Sequence, residues 1–88
     1  MLFQLGQIVA TPAALDTLEQ AGTTASRLIR RHQKGDWGDI CEEDKRFNDE
    51  DLKQGNRLLS AYHTSKGKVW VITEANRSVT TVLLPSDY

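Results

Sequence analysis

Carboxylates dominate the chemistry this chain offers. The stretch "KGDWGDICEEDKRFNDED", residues 34–51, holds Asp36, Asp39, Glu42, Glu43, Asp44, Asp49, Glu50 and Asp51, eight of the twelve acidic residues. Acids this dense can ligate a cation, but spacing restricts which one. A calcium loop needs oxygen ligands at alternating positions, a central glycine and a glutamate at position twelve. The segment "DWGDICEEDKRF" lacks that pattern. A structural zinc site needs four Cys or His ligands, and the chain has one Cys and two His. Asp36 and Asp39 could share a magnesium ion. The same side chains suit a simpler role, accepting hydrogen bonds from the backbone N–H groups of a turn and a helix start. No metal and no cofactor are expected.

Nucleophilic chemistry is disfavoured at Cys41. Its neighbours Glu42, Glu43 and Asp44 oppose thiolate formation, so Cys41 reads as a small, partly buried apolar residue. Metal-independent RNA cleavage needs a general base, a general acid and a cation for the phosphate. His32, His63, Arg57, Lys68 and Arg77 supply those residue types. Small toxin-like ribonucleases also pair helices with an antiparallel sheet, which is fold-level analogy. His32 falls among apolar residues, where a satisfied core histidine is expected; His63 lies beside a turn, where exposure is expected. No glycine-rich phosphate loop is present.

Net charge is −1, but its distribution is polar. Residues 36–51 carry eight acids against Lys45 and Arg46, giving −6, while the rest carries nine bases against four acids, giving +5. Such polarity suits electrostatic recognition. Arg27, Arg30, Arg31 and Lys34 form a candidate nucleic-acid contact, with Trp70 or Tyr62 as stacking platforms. The adjoining acids would repel phosphate. Those acids can instead engage a basic groove on a protein partner. A nearly neutral chain is not a whole-surface imitation of nucleic acid.

The elements that must position these groups change period along the chain. "QIVA", residues 7–10, is a short candidate strand. Thr11 then caps a helix that places Pro12 first, where its missing N–H costs nothing. Leu15 and Leu18 are expected on its inner face, and Gly22 stops it. Thr23 or Thr24 caps a second helix ending at Gly35. Its Ala25, Leu28, Ile29 and His32 recur at i, i+3, i+4, i+7 and point inward. After the turn chemistry of "GDWGD", Asp39 and Glu42 resemble a capping box, and Asn48 with Asp51 offers a weaker second start. Sparse apolar residues there predict short helical turns ending at Gly55. Residues 57–63, 68–74 and 79–84 are rich in β-branched and aromatic residues and read as an antiparallel meander. The expected fold is α+β: two N-terminal helices, short helical turns and a three-stranded antiparallel sheet, with residues 7–10 as a candidate edge strand.

Eighty-eight residues of ordinary composition make one domain. A single Cys forms no internal disulfide, which suits a reducing cytosol. No apolar run approaches the roughly 20 residues of a membrane span, and the N-terminus lacks the pattern of a signal peptide.

Three segments, "LGQIVATPAALDTLEQAG", "RHQKGDWGD" and "RLLSAYHTSKGKVWVITEANRSVTTVLLPSDY", together resemble a family of small bacterial proteins found on plasmids, integrative elements and phages. Members are sometimes labelled a type I restriction enzyme subunit, although 88 residues cannot hold a methyltransferase domain. The fingerprint is "GDWGD", "LLSAY" and "WVITEA-RS-TT-LLP", and the family pattern has Asp where this chain has Asn76. The resemblance implies a mobile-element setting. Small accessory proteins there inhibit host defence, assist conjugation or replication, or form toxin–antitoxin pairs.

These readings converge on a cytoplasmic, single-domain accessory protein that binds rather than catalyses, an anti-defence inhibitor of anti-restriction or anti-CRISPR type. Its partner would be a protein or a protein–nucleic-acid complex, met through Asp36, Trp37, Asp39, Asn76 and Arg77 on the surface. The alternative is a metal-independent ribonuclease using His32 or His63 with Arg77.

Overall fold

A computed structural model describes residues 2–88. Strand β1 (Gln7–Ala10) leads into helices α1 (Pro12–Gln20), α2 (Ala25–Gln33) and α3 (Glu42–Gln54). Strands β2 (Leu58–Thr64), β3 (Gly67–Thr73) and β4 (Val79–Leu83) follow, then a 3-10 turn, Pro85–Asp87. The four strands form one sheet in the order β1-β4-β3-β2. The architecture is α+β with a mixed sheet. No described helix is long and apolar enough to cross a membrane.

The meander from β2 to β4 forms as its alternation predicts. Residues 7–10 form the expected edge strand, and its pairing with β4 is parallel, Gln7 opposite Val79 and Ala10 opposite Val82, which makes the sheet four-stranded and mixed. Alternation marks a strand but does not name its partner. The expected short helical turns are instead one 13-residue helix, α3. Its first turn carries Glu42, Glu43 and Asp44, which complement the positive end of the helix dipole. Gly55, at φ 75°, ends it in the left-handed conformation. Asp39 and Glu42 make no capping box: Cys41 is the N-cap and supplies no side-chain bond. Asn48, expected as a helix start, lies in the middle of α3 and is buried.

Helices α1 and α2 start as their caps dictate. Thr11 accepts from the N–H of Ala14, and Thr24 from the N–H of Arg27. On α1 the buried pair is Ala14 and Leu18; Leu15 turns outward and is 49% exposed. The i, i+4 pair, rather than i, i+3, meets the sheet. On α2, Leu28, Ile29 and His32 are buried as their spacing requires.

Ala14, Leu18, Leu28 and Ile29 pack against Tyr62, Val69, Val71 and Val82, the helix-facing side of the sheet. A second cluster, Phe3, Trp37 and Leu58, sits beside it. On the opposite face, Trp70 meets the Tyr88 ring edge-on at 5.8 Å. Asp87 accepts from the Thr11 hydroxyl at 2.7 Å and the Leu84 N–H at 3.0 Å, fixing the last turn to the start of α1.

The segment before α3 closes the β2 edge of the sheet. Ala61 donates its N–H to the Trp37 carbonyl and accepts from the Asp39 N–H. The carboxylate of Asp39 accepts from the His63 N–H at 2.7 Å. The Asn48 side chain both donates to the Leu59 carbonyl, at 2.6 Å, and accepts from the Leu59 N–H, at 3.3 Å. The N–H and C=O of Leu59 and Ala61 and the N–H of His63 are thus met by residues 37–48; left open, they would form a template for strand addition. The close approach requires glycine at 38. Its φ is 80°, and a Cβ there would strike the Ala61 carbonyl and the Tyr62 ring. Gly38→Ala therefore combines backbone strain with a clash. It should cost about 3 kcal/mol, against about 1 kcal/mol for Gly55→Ala, whose φ is 75° but which has nothing within 4 Å. Urea unfolding of the two variants measures the contrast.

Candidate functional site

Most residues expected to form a contact surface hold the fold together. Trp37 is 3% exposed, which corrects its expected place on the surface. Its ring stacks near Phe3, centroids 6.3 Å apart, and meets His32 edge-on at 5.6 Å. Its indole N–H donates to Asp49 at 3.0 Å. An indole packed between two aromatic rings, with its N–H bonded, is worth more buried than displayed.

Asp36 and Asp39 are exposed as expected, but their oxygens are engaged. Asp36 accepts from Arg31 Nε at 2.6 Å and from the Gly38 N–H at 3.2 Å. The Arg31 guanidinium holds this carboxyl below the usual range. The backbone N–H of His63 does the same for Asp39. The role of accepting from backbone N–H groups holds for both, although Asp39 serves a strand edge rather than a helix start. Among the described residues, no group of three or more His, Cys, Asp or Glu is placed to hold a metal ion.

Asn76 and Arg77 build the β3–β4 turn. Asn76 Oδ1 accepts from the Ser78 N–H at 3.0 Å and from its hydroxyl at 2.6 Å. Arg77 has φ 58°. Its Nη1 donates to the carbonyls of Asn56 (2.7 Å), Glu74 (3.0 Å) and Ala75 (3.3 Å), and its guanidinium lies 5.7 Å from the Phe3 ring centre. Arg77 therefore sits near the start of β2 and Asp39 near its end. Seven residues of strand, roughly 20 Å, separate them. The five expected contact residues do not form one site.

His32, His63 and Arg77 are dispersed too. His32 is 0% exposed, with both ring nitrogens engaged: Nδ1 with Ser60 Oγ at 2.5 Å, Nε2 with Thr73 Oγ1 at 2.9 Å. Thr73 Oγ1 continues to Thr80 Oγ1 at 2.8 Å, and the Thr80 hydroxyl donates to the Leu5 carbonyl at 2.7 Å. Each hydroxyl has one proton, which fixes the directions. Thr80 spends its proton on Leu5, so Thr73 donates to Thr80, His32 Nε2–H donates to Thr73, and Ser60 donates to Nδ1. Burial, with the positive charge of Arg77, pushes His32 down to about 4. His63 is exposed as expected, with Nδ1 3.2 Å from Asp39 Oδ2.

Of the candidate nucleic-acid residues, Arg27, Arg30 and Lys34 are exposed. Arg31 is paired with Asp36 and lies 4.5 Å from the Tyr62 ring centre. Tyr62 is buried, so no base can stack on it; burial raises its hydroxyl to about 12. Trp70 is half-buried against Tyr88. Cys41, expected to be partly buried, is exposed, because the N-cap position carries it clear of the sheet.

A different region forms a concave surface. A groove of about 340 Å³ lies between α3 and β2, lined by Ile40, Asp44, Phe47, Asn48, Asp51, Arg57 and Leu59. Positions 44, 47, 48 and 51 repeat at i, i+3, i+4, i+7, so one stripe of α3 forms its wall. Asn48 anchors that stripe to β2, and Phe47 stands 57% exposed between the two carboxylates. Arg57, bonded to the Tyr88 hydroxyl with its guanidinium 5.2 Å from that ring's centre, lies on the far side. Phe47 is not among the residues expected to form a contact surface. The available signal was an aromatic residue amid acids on a segment with no apolar period. Compared with family models, curated proteins and solved structures, the chain matches none.

The buried imidazole carries a pH signature. Unfolded, His32 titrates near 6.5; folded, it stays neutral down to about 4. The unfolded chain therefore takes up the proton first. Stability is full above pH 6.5 and falls as pH drops toward 4, by about 3 kcal/mol. The depressed carboxyls of Asp36 and Asp39 add losses only at lower pH. Urea titrations from pH 7.5 to 4 should show this slope in the wild type. His32→Asn, less stable at neutral pH, should lose most of it.

Proposed function

We propose that this chain is a protein-binding module whose α3–β2 groove receives a basic segment of a partner, anchored by an apolar side chain against Phe47. The observation that carries this reading is Phe47, 57% exposed in a groove flanked by Asp44 and Asp51. An aromatic ring at the centre of a concave patch is the usual energetic anchor of an interface. Surrounding charge selects the partner's sign and speeds encounter. Helix α3 carries six acids against Lys45, Arg46 and Lys53, a net −3, so the favoured partner is basic.

The resemblance to small proteins of plasmids, integrative elements and phages supports a setting: a cytosolic accessory factor, of anti-defence type, that occupies a basic surface on a protein handling nucleic acid. The exposed thiol of Cys41 suits a reducing compartment.

The binding reading is tested with a labelled peptide alternating Lys and Leu, followed by fluorescence anisotropy at low and high salt. Binding should weaken at least about tenfold in Phe47→Ala. It should also lose most of its salt dependence in the Asp44→Asn/Asp51→Asn double variant. Equal affinity of Phe47→Ala and wild type discards this reading.

A second reading, metal-independent RNA cleavage, is favoured by one observation. His63 pairs with Asp39 and stands directly opposite Lys68 across the β2–β3 ladder, placing an exposed imidazole and a cation on one face. Cleavage of single-stranded RNA that disappears in His63→Ala would support it; RNA left intact by the wild type sinks it.

A further inference from the structure

The two edges of the sheet are treated differently. The N–H and C=O of Leu59 and Ala61 and the N–H of His63 on β2 are met by residues 37–48, as described above. Strand β1 ends the sheet on the other side with Gln7, Ile8 and Val9 exposed. Ile8 is 50% and Val9 38% exposed. The N–H groups of Gln7 and Thr11 donate to the carbonyls of Ser78 and Val82 in the β4 direction. Strand alternation therefore turns the N–H and C=O of Ile8 and Ala10 away from β4. Edge strands are normally guarded by charge, proline or a bulge. "QIVA" has no charge and no proline, and the first charged side chain in the sequence is Asp16.

We propose that β1 is a self-association edge, on which a second copy of this chain adds its own β1 antiparallel about a two-fold axis at Val9. The register follows from which groups face outward. Ile8 and Ala10 must be the hydrogen-bonded positions, since the N–H and C=O of Val9 point to β4. Centring the axis on Val9 sets Ile8 of one copy opposite Ala10 of the other. Four main-chain hydrogen bonds then form, all from extended residues. Centring it on Ile8 would instead enlist Gly6, whose φ of 66° lies outside the strand region. Val9 meets Val9 of the second copy as the close, non-hydrogen-bonded pair.

Charge and closure both favour a second copy over an unrelated strand. A quarter of the chain is charged, 26%, yet no charged side chain falls among residues 2–15. A second β1 therefore brings no charge to be desolvated at this edge. Pairing two β1 edges joins two four-stranded sheets into one of eight. Its outer edges are the two β2 strands, both already capped, so assembly stops at two rather than running on as a fibre. The contact is short, so association is weak and concentration-dependent. This inference goes beyond the binding reading. The α3 grooves lie at the far edges, where a dimer would present both.

The test is sedimentation velocity on the full chain over a concentration series reaching about 1 mM, the weak limit of specific association. The wild type should shift from monomer toward dimer and no further. Val9→Lys and Val9→Glu, each checked for folding by circular dichroism, should remain monomeric alone, and an equimolar mixture should recover the dimer. Amide exchange gives a readout free of substitution. Protection at Ile8 and Ala10 should rise with concentration, while Val9, already bonded within the sheet, should not change. Three results would overturn the proposal: a wild type monomeric throughout, a Val9→Lys variant associating as strongly as wild type, or Ile8 and Ala10 amides exchanging equally at both ends of the series.

Discussion

One buried chain of hydrogen bonds ties this small protein together. It runs from Ser60 through the His32 ring to Thr73, Thr80 and the Leu5 carbonyl. Those five residues belong to β2, α2, β3, β4 and the segment before β1. In a chain of 88 residues, apolar burial alone is modest. A polar chain of this kind is favourable only when every member is satisfied, since an orphaned donor or acceptor in a low-dielectric interior is costly. That condition is met: among the described residues, no buried side-chain nitrogen or oxygen lacks a partner. The rings of Phe3 and Trp37, packed edge-on to the imidazole, keep water from competing. The chain also fixes the register of three strands at once, because a one-residue slip in any of them would turn its hydroxyl to the wrong face.

The acidic run resolves into three physical roles. Asp36, Asp39 and Asp49 hold specific donors: Arg31 and Gly38, His63, and the Trp37 indole. Glu42, Glu43 and Asp44 lie in the first turn of α3, where negative charge suits the dipole. Asp44 has a second place, with Asp51, at the groove around Phe47. One stretch therefore closes a sheet edge, starts a helix and sets the sign of a surface. The groove residues serve the fold as well: Asp44 lies in the first turn of α3, and Asp51 accepts from the Asn56 amide at 3.2 Å.

Much of the architecture was legible locally. The caps at Thr11 and Thr24, the stop at Gly55, the inward face of α2 and the meander follow from rules that act over a few residues. The missed features depend on distant ones. The parallel pairing of β1 requires β4. The length of α3 is sustained by Asn48 reaching the β2 backbone, a contact with no trace in helical periodicity. Trp37 read as exposed because "GDWGD" is turn chemistry, yet turns can still carry a side chain into the core when a pocket exists. At the candidate site, the helical stripe of 44, 47, 48 and 51 was present in the sequence. Its significance appeared only once Leu59 and Arg57 supplied the facing wall.

The parallel pairing of β1 also dictates an order of events. β1 and β4 lie at opposite ends of the sequence, and the bond from Thr80 to Leu5 joins positions 75 apart. Closing so long a loop is entropically expensive and is repaid only when both partners exist. The meander and α2 can assemble from neighbouring segments, whereas the N-terminal strand, though made first, must wait for the last strand before it has anything to pair with. During that interval an uncharged, β-prone segment stands unpaired, and the protein's exposure to misassembly is set by how quickly its two ends meet.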